Sequence, residues 1–440
     1  MILVEMETSP KLQRNPFIYP QSKWYQYYAG FSDAFVKELF EKYCVQFNSP
    51  TILDPWNGSG TTTLVASMLG YSSYGFDLNP VMVIVARAKL FSPTQKNISD
   101  LLEKIQYSNI TNKRKISYDQ DPLNRWFVRS TVTALRKIEA FIQKYCFKTD
   151  NVMFLCNAWD YQNISNELAF YYLALFSMLK DLAKTFITSN PTWIKSNIEE
   201  SQKIKLSWKE LFLMFSDTLI KMGQDDIKNP ININCNVAVA NSQNIPLNDR
   251  SVDIIISSPP YCTRIDYAIY TQIELALLGY DKDRINLLRQ NMIGTPTITN
   301  QHNSNVIQPD SLCGKTLSAI ANHESKAAKS YYYKTYLQYF DSMNNSIKEL
   351  YRVLSSNGLA ILVVQDSWFK DIYIDLPDIL TELCSMNYLV KLEMISFNAN
   401  NNMNYINTKS AKYKTKRAAK ECVIIFGKGE SHGRKFDRNN

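Results

Sequence analysis

The segment from residue 51 to residue 90 constrains the fold more strongly than any other part of the chain. Short apolar runs of strand length alternate in it with patterns at helical spacing, and two glycines separate the first strand from the first helix. This alternation is typical of a parallel sheet covered by helices, so it predicts the opening of a doubly wound α/β sheet. The predicted elements are a strand at 51–53, a glycine turn at 58–60, a helix at 61–69, a strand at 73–76 and a helix at 80–90.

Five further apolar runs suit buried parallel strands, which brings the predicted sheet to seven strands. These runs lie at 237–239, 252–256, 359–364, 390–395 and 422–426. Near the N-terminus, Ser32 is a good helix N-cap and predicts a helix that ends close to Tyr43. The expected fold class is therefore α/β.

Two intervals depart from the alternation of strands and helices. Residues 92–228 show long apolar patterns at helical spacing and almost no strand signal, which predicts a mainly helical insertion. Residues 281–330 are rich in Asn, Ser, Thr and Lys, and we expect a surface insertion or mobile loop there. The predicted division is a first core part at 1–91, the insertion at 92–230 and a second core part at 231–440.

Composition excludes several classes of protein. The chain has 440 residues, of which 45% are hydrophobic, and it is therefore large enough to bury an extensive core. A net charge of +8 favours polyanionic partners. Three histidines and eight cysteines without a CxxC pair offer no zinc-binding pattern, so we expect no metal and reduced cysteines. The longest strongly apolar stretch, Leu168 to Leu179, is too short to cross a membrane, and we expect a cytoplasmic protein.

The string from Asp54 to Thr62 joins a predicted strand to a predicted helix and suits a cofactor site. Its glycines, Gly58 and Gly60, let the backbone approach a ligand closely, and the first amides of the helix attract an anionic group. Asp77 follows the next strand, where an acidic side chain can bind the two hydroxyls of a ribose. A nicotinamide site is less favoured because Thr63 stands where that motif needs a third small residue. A tight turn without a ligand is the structural alternative.

A second string, Ser258 to Tyr261, directly follows the apolar run at 252–256. Two consecutive prolines fix the direction of the backbone carbonyls, a hydroxyl precedes them and an aromatic ring follows them. Such a loop suits a planar amine, since Ser258 and the Pro259 carbonyl can accept its hydrogens while Tyr261 stacks on its ring. Taken alone, the string is equally compatible with an ordinary turn.

Together the two strings resemble those of the S-adenosylmethionine-dependent DNA amino-methyltransferases, which modify cytosine N4 or adenine N6. The resemblance covers roughly residues 15–90 and 235–428, and Trp56 replaces the Phe of the usual Asp-Pro-Phe-x-Gly-Ser-Gly-Thr-Thr motif. It implies a Rossmann-like methyltransferase sheet, S-adenosylmethionine as cofactor and a base flipped out of double-stranded DNA. It assigns catalysis to Ser258, Pro259, Pro260 and Tyr261, and cofactor binding to Tyr28, Phe31, Ser32, Asp54, Pro55, Trp56, Gly58, Gly60, Thr61, Thr62, Asp77, Leu78 and Asn241.

The same resemblance bears on the target base. Members with Ser before Pro-Pro-Tyr mostly methylate cytosine N4, so Ser258 favours cytosine N4 and leaves adenine N6 as the alternative. Cytosine C5 is disfavoured, because Tyr261 separates Pro260 from Cys262, which we expect to be a packing residue. An RNA amino-methyltransferase, an inactive nucleic-acid-binding relative and a nicotinamide oxidoreductase are further alternatives.

The partner implied by the resemblance is double-stranded DNA, with a cognate restriction endonuclease or other defence proteins as possible companions. A run of basic residues between 409 and 420 contains no acid and lies between the last two predicted strands, where it suits phosphate contacts. Target recognition is open between residues 92–230 and residues 281–330. The candidate DNA-binding residues are Arg264, Lys412, Lys414, Lys416 and Arg417.

Overall fold

The computed structural model describes most of the chain and all the predicted strands. The described residues are 8–10, 17–25, 30–107, 120–147, 154–155, 164–188, 190, 193–196, 198–224, 234–262, 266–299, 308–399 and 419–429. Within these ranges, none of the helices has the length and apolar character needed to cross a membrane.

A seven-stranded sheet forms the centre of the protein, in the order β3-β2-β1-β4-β5-β9-β8. The first five strands in this order run parallel, and β9 runs antiparallel to both of its neighbours. The seven predicted strands and the Rossmann-like sheet are confirmed, but the run at 422–426, predicted to be a parallel strand, is antiparallel to both of its neighbours. The strands are β1 Thr51–Asp54, β2 Ser72–Asp77, β3 Cys235–Val239, β4 Val252–Ser257, β5 Leu354–Gln365, β8 Leu389–Ala399 and β9 Ala419–Lys428, and a separate hairpin joins β6 Ser367–Phe369 to β7 Ile372–Ile374.

Helices cover both faces of the sheet, as the continuous apolar runs of its central strands require. The described helices are α1 Asp33–Tyr43, α2 Thr61–Met68, α3 Pro80–Lys89, α4 Gln95–Tyr107, α5 Arg129–Phe147, α6 Asn166–Ala183, α7 Trp208–Gly223, α8 Tyr267–Tyr270, α9 Gln272–Leu277, α10 Lys282–Asn291, α11 Leu312–Asn322, α12 Tyr333–Val353 and α13 Leu376–Met386.

Alternate residues of the central strands pack on opposite faces of the sheet. In β4, Ile254 and Ile256 belong to a core formed with α1 and α2, whereas Ile255 belongs to a core formed with α12 and α13. Both sides of the strand are buried, which explains why its sequence is apolar without alternation. The sheet therefore separates two cores.

A third core lies within the helical insertion. Helices α4 to α7 pack together, and α6 packs against α3, which belongs to the sheet domain. The buried Arg136 on α5 is neutralised there by Asp121 and Glu139, at 2.7 Å from each. The helical patterns that the sequence shows in 92–228 correspond to these helices, and the insertion packs on the sheet domain through α3.

The segment 281–330 corrects an expectation. The sequence predicts a surface insertion or mobile loop there, but the described part of the segment contains the helices α10 and α11. Asp281 caps α10 by accepting a hydrogen bond from the Arg284 amide at 2.8 Å, and Ser311 caps α11 in the same way through Gly314. Ile285 and Leu288 bury one side of α10. The caps and this short apolar face outweigh the polar composition that suggested a loop.

The strand order creates a crevice at the carboxyl ends of the strands. The chain proceeds from β1 to β2 and β3 on one side, and then returns to β4 on the other side of β1. Loops that leave β1 and β4 therefore diverge at this point, which is where open α/β sheets bind their ligands. Both strings that the sequence singled out follow these two strands.

Candidate active site

A cleft lies at the carboxyl ends of β1, β2 and β4. The turn after β1 and the loop after β4 both line it, because the two strands are hydrogen-bonded neighbours in the sheet. The structure thus brings the two sequence motifs into one site. The predicted residues that line the cleft are Phe31, Asp54, Pro55, Trp56, Gly58, Thr61, Asp77, Leu78, Asn241, Ser258, Pro259, Pro260 and Tyr261.

The turn between β1 and α2 requires glycine at two positions. Gly58 and Gly60 have φ angles of 48° and 80°, in the left-handed region that side chains disfavour. A Cβ atom added to Gly60 would lie 2.5 Å from the Cβ of Ala86 on α3. The amide of Asn57 donates a hydrogen bond to the carbonyl of Phe76 at 2.9 Å. The turn is therefore held tightly against α3 and the end of β2.

Asp77 ends β2, and its carboxylate is fixed by two backbone amides. Oδ2 accepts a hydrogen bond from Gly58 at 2.9 Å, and Oδ1 accepts one from Asn79 at 2.8 Å. Burial raises the pKa of Asp77 to about 6, although both hydrogen bonds act in the opposite direction. Each oxygen retains the capacity to accept a second hydrogen bond. The side chain can therefore receive two hydroxyl groups from a ligand in the cleft.

Asp54 ends β1 and places a second carboxyl group beneath the cleft, where it is only 2% exposed. Its Oδ1 accepts hydrogen bonds from the Ser257 hydroxyl and, at 3.1 Å, from the Trp56 amide. Burial raises the pKa of Asp54 to about 6, the hydrogen bonds lower it, and the charge of Asp77 adds a smaller increase. Two neighbouring carboxylates make the cleft attractive to a positively charged ligand.

Three predicted cofactor residues lie behind the lining of the cleft. The hydroxyl oxygen of Ser32 accepts a hydrogen bond from the Phe35 amide at 3.1 Å and caps α1. Thr62 is fully buried, and its hydroxyl donates to the Ile256 carbonyl at 3.4 Å. Gly60 occupies the N-cap position of α2. These residues shape the walls of the cleft, and direct contact with a cofactor stays a prediction for them.

The loop after β4 is held by hydrogen bonds at its two ends. The Ser258 hydroxyl donates to the Tyr261 hydroxyl oxygen at 3.3 Å, and the Tyr261 hydroxyl donates to Oε1 of Glu421 on β9 at 3.2 Å. The Tyr339 hydroxyl donates to the Pro260 carbonyl at 2.8 Å. The Pro259 carbonyl, by contrast, receives no hydrogen bond from the described residues. The loop thus presents one carbonyl that is already engaged and one that can accept a ligand hydrogen.

Sequence reasoning missed Glu421, which is 5% exposed and borders the Ser258–Tyr261 loop. The sequence feature that could have indicated it is its position as an acidic residue directly before the apolar run at 422–426. Burial, together with the carboxylate of Glu421, raises the pKa of Tyr261 well above its ordinary value. Tyr261 is therefore a neutral hydrogen-bond donor at physiological pH.

Further lining residues come from the part of the chain expected to be a loop. Asn291, Met292 and Ile293, at the end of α10, line the cleft together with Tyr267. A Cβ atom added to Gly294 would lie 3.5 Å from the Tyr261 carbonyl oxygen. The end of α10 therefore lies beside the catalytic loop, a proximity that the sequence spacing of about thirty residues did not reveal.

Asn241 lines the cleft just after β3, on the side of Asp77. Its Oδ1 accepts a hydrogen bond from the Gln243 amide at 3.0 Å, and its carbonyl accepts one from Asn244 at 2.9 Å. The preceding residue, Ala240, donates its amide to the Asp77 carbonyl at 3.2 Å. A tight turn therefore fixes Asn241 beside the end of β2.

The comparisons with known proteins agree with this geometry. No family model matches the chain. The chain is 27% identical over 294 residues to the type II methyltransferase M.BsoBI of Geobacillus stearothermophilus, a match that covers 61% of this chain and 54% of that protein. It is 26% identical over 353 residues to the type II methyltransferase M.MvaI of Kocuria varians, which covers 76% of this chain and 73% of that one. The chain is thus similar to type II methyltransferases.

The match to the first of these relatives spans about half of that relative's length. Among solved structures, a SAM-dependent methyltransferase from Methanosarcina mazei is 9% identical, covers 88% of this chain and 98% of that chain, and has a TM-score of 0.29. The relatives confirm the resemblance to methyltransferases. They do not distinguish cytosine N4 from adenine N6.

Several predicted residues lie outside the described residues. They are the cofactor candidate Tyr28 and all the DNA-binding candidates, namely Arg264, Lys412, Lys414, Lys416 and Arg417. Cys262, which follows the catalytic loop, is described and is 4% exposed, with its thiol in the core formed by α12 and α13. Burial raises the pKa of this thiol well above its ordinary value, so Cys262 is a packing residue.

Proposed function

We propose that this protein is a DNA methyltransferase that transfers a methyl group from S-adenosylmethionine to the exocyclic N4 of a cytosine flipped out of the duplex. The observation that carries the proposal is the convergence of the glycine turn, Asp77 and the Ser258–Tyr261 loop on one cleft. Cytosine is preferred to adenine because Ser258 stands before the two prolines. Methylation of adenine N6 is the second candidate.

The residues present in the cleft fit S-adenosylmethionine. The two free acceptor positions of the Asp77 carboxylate suit the hydroxyls of its ribose, and Asn241 lies in the same part of the cleft. The carboxylates of Asp54 and Asp77 favour a ligand with a positive sulfonium and a positive amine. The narrow turn at Gly58 leaves room for close approach of such a ligand to the backbone.

The catalytic loop contributes positioning and hydrogen-bond acceptors. Bound S-adenosylmethionine supplies a methyl group on a sulfur that is a good leaving group. The Ser258 oxygen and the Pro259 carbonyl accept the hydrogens of the amine, which turns the nitrogen lone pair towards the methyl carbon. Tyr261 stacks on the base, and its hydrogen bond to Glu421 fixes the plane of the ring. With the cofactor bound, the carbon–nitrogen bond would form as the carbon–sulfur bond breaks, and the amine would release its proton to water.

Base flipping follows from the depth of the site. The lining residues of the loop lie at the carboxyl end of β4, inside a cleft that a base stacked within a duplex cannot enter. Stacking on Tyr261 offsets part of the free energy of extrusion, since a base–aromatic contact is worth about 1–3 kcal/mol. The net charge of +8 favours association with the phosphates.

The described residues favour α10 and its flanks as the protein surface nearest the flipped base. Asn291 to Ile293 line the cleft beside the loop, whereas none of the described residues in 92–230 lines it. This supports the segment 281–330 over the helical insertion as the recognition element. The kinship with type II methyltransferases further supports a role in restriction and modification, with a cognate restriction endonuclease as the proposed partner.

The decisive experiment incubates the purified chain with tritiated S-adenosylmethionine and unmethylated phage DNA, and then identifies the modified nucleoside by mass spectrometry. We expect N4-methyldeoxycytidine. N6-methyldeoxyadenosine would establish the second candidate instead. Label that enters RNA but not DNA would refute both.

A matched pair of variants tests the assignment of the loop. Tyr261→Ala should lower the rate of DNA methylation about 10- to 100-fold, because a stacking contact of this strength is lost, and should leave the affinity for S-adenosylmethionine unchanged. Tyr145→Ala, on the distant helix α5, removes an aromatic ring of the same size and should retain normal methylation. Near-normal turnover of Tyr261→Ala would contradict the stacking role.

A further inference from the structure

We propose that Lys89 binds the carboxylate of the amino-acid part of S-adenosylmethionine. Lys89 is the last residue of α3, far along the chain from both motifs, and it is only 2% exposed. The inference rests on the proposed function, since it names a further cofactor-binding residue in the same site. It depends on a side pocket that adjoins the main cleft.

The side pocket shares its walls with the cleft. Gly30, Phe31, Ser59 and Thr61 line both spaces, so the pocket is continuous with the region between α1 and the glycine turn. Lys89 and Asp33 line the side pocket, and neither is among the residues that line the cleft. A ligand that occupies the cleft can therefore extend a short polar group towards the Lys89 ammonium.

The Lys89 ammonium has no partner among the described residues. It makes no hydrogen bond there and no ion pair within 4.0 Å, although a buried charge is normally paired. The nearest opposite charge, Asp33, is already engaged. Its carboxylate accepts hydrogen bonds from the Ser22 hydroxyl at 2.8 Å and from the backbone amides of Tyr19 at 3.0 Å and Ala34 at 2.9 Å. Lys89 is thus a buried cation that lines a small pocket and has no partner among the described residues.

The chemistry of the pocket selects a carboxylate. Burial lowers the pKa of Lys89 to about 8, and Asp33 partly offsets this effect, so the ammonium form predominates at neutral pH. An anion that enters the pocket would pair with this charge and remove part of the free-energy cost of burying it. The main cleft itself is negative because of Asp54 and Asp77, and it therefore suits the amine and sulfonium rather than the carboxylate. The carboxylate of the amino-acid group is thus directed to the side pocket with Lys89, and its amine to the cleft with Asp54 and Asp77.

The experiment compares two probes that differ only in the carboxylate. Isothermal titration calorimetry measures the affinity of the wild-type chain and of Lys89→Met for S-adenosylmethionine and for decarboxylated S-adenosylmethionine. Lys89→Met should weaken S-adenosylmethionine binding about 10- to 100-fold, as expected for a hydrogen-bonded charge pair. It should leave the affinity for the decarboxylated compound unchanged. Lys428→Met, which replaces another buried lysine remote from the cleft, is the matched control and should bind both probes normally.

The possible outcomes separate this inference from the proposed function. A wild-type chain that binds neither probe would overturn the cofactor assignment itself. A wild-type chain that binds S-adenosylmethionine while Lys89→Met binds it equally well would overturn only the role of Lys89. Equal weakening of both probes would mean that Lys89 acts on the fold through Asp33, and it would also reject the inference. Thermal unfolding of Lys89→Met checks that this variant is folded. Lys89→Arg keeps the positive charge, and it should therefore retain S-adenosylmethionine binding.

Discussion

Replacement of Asp54 by Asn should stabilise the fold while it weakens cofactor binding. Asn keeps an oxygen in the place of Oδ1, which accepts the hydrogen bonds of the Ser257 hydroxyl and the Trp56 amide. It removes the negative charge that burial disfavours, and it replaces Oδ2 by an amino group, which donates hydrogen bonds instead of accepting them. A binding cleft that holds a destabilising charge is an instance of the general conflict between function and stability.

The expected magnitude follows from the pKa of Asp54, which burial raises from 3.8 to about 6. Between these two values the folded chain binds more protons than the unfolded chain, so the wild-type free energy of unfolding falls as the pH rises. A displacement of about two pKa units corresponds to about 3 kcal/mol, and this cost is fully present above pH 6. Asp54→Asn does not incur it.

Urea unfolding of both chains between pH 4 and pH 8 measures this difference. The free energy of unfolding of Asp54→Asn relative to wild type should rise by about 3 kcal/mol between pH 4 and pH 7. Glu349→Gln is a control of opposite sign, because its hydrogen bonds with Arg352 lower the pKa of the Glu349 carboxyl. Its stability relative to wild type should fall as the pH rises. A difference for Asp54→Asn that stays constant over this range would refute the reasoning.

Two further substitutions test the glycine turn and the hydrogen bond between Tyr261 and Glu421. Gly60→Ala should lower the free energy of unfolding by about 2–4 kcal/mol, since it combines a left-handed φ of 80° with a Cβ atom 2.5 Å from the Cβ atom of Ala86. Urea unfolding measures this free energy, and a loss below about 1 kcal/mol would contradict the predicted clash. Glu421→Ala should lower kcat of DNA methylation about tenfold without changing cofactor affinity, because the Tyr261 hydroxyl loses its acceptor. Glu421→Gln should restore most of the rate, and failure of this rescue would argue against a positioning role.

The sequence identified the central sheet well because its signals are local. Apolar runs of strand length, the cap at Ser32 and the glycines near residue 58 each act through neighbouring residues, and all seven strands were found in this way. The helix α10 was missed because its stability comes from a cap at Asp281 and from two apolar residues buried against the rest of the fold. Composition alone cannot register that burial.

The residues of the candidate site also differ in whether the local sequence could reveal them. The glycine turn and the Ser258–Tyr261 loop were recognisable because each is a contiguous string whose chemistry depends on adjacent residues. Glu421, Lys89 and the end of α10 were missed because each is separated by a long stretch of chain from the group it serves. An acidic residue at the start of a strand, or a lysine at the end of a helix, has no distinctive sequence context.

The sequence by itself determined the fold class and the two motifs, because apolar strand patterns, turn geometry and helix capping depend on residues close together in the chain. Only the tertiary structure decided which distant side chains meet in the cleft. The order of strands in the sheet places β1 beside β4, although about two hundred residues separate them. That pairing brings Asp77 and Tyr261 into one cleft, and the packing of α3 against the glycine turn brings Lys89 into the side pocket that adjoins it.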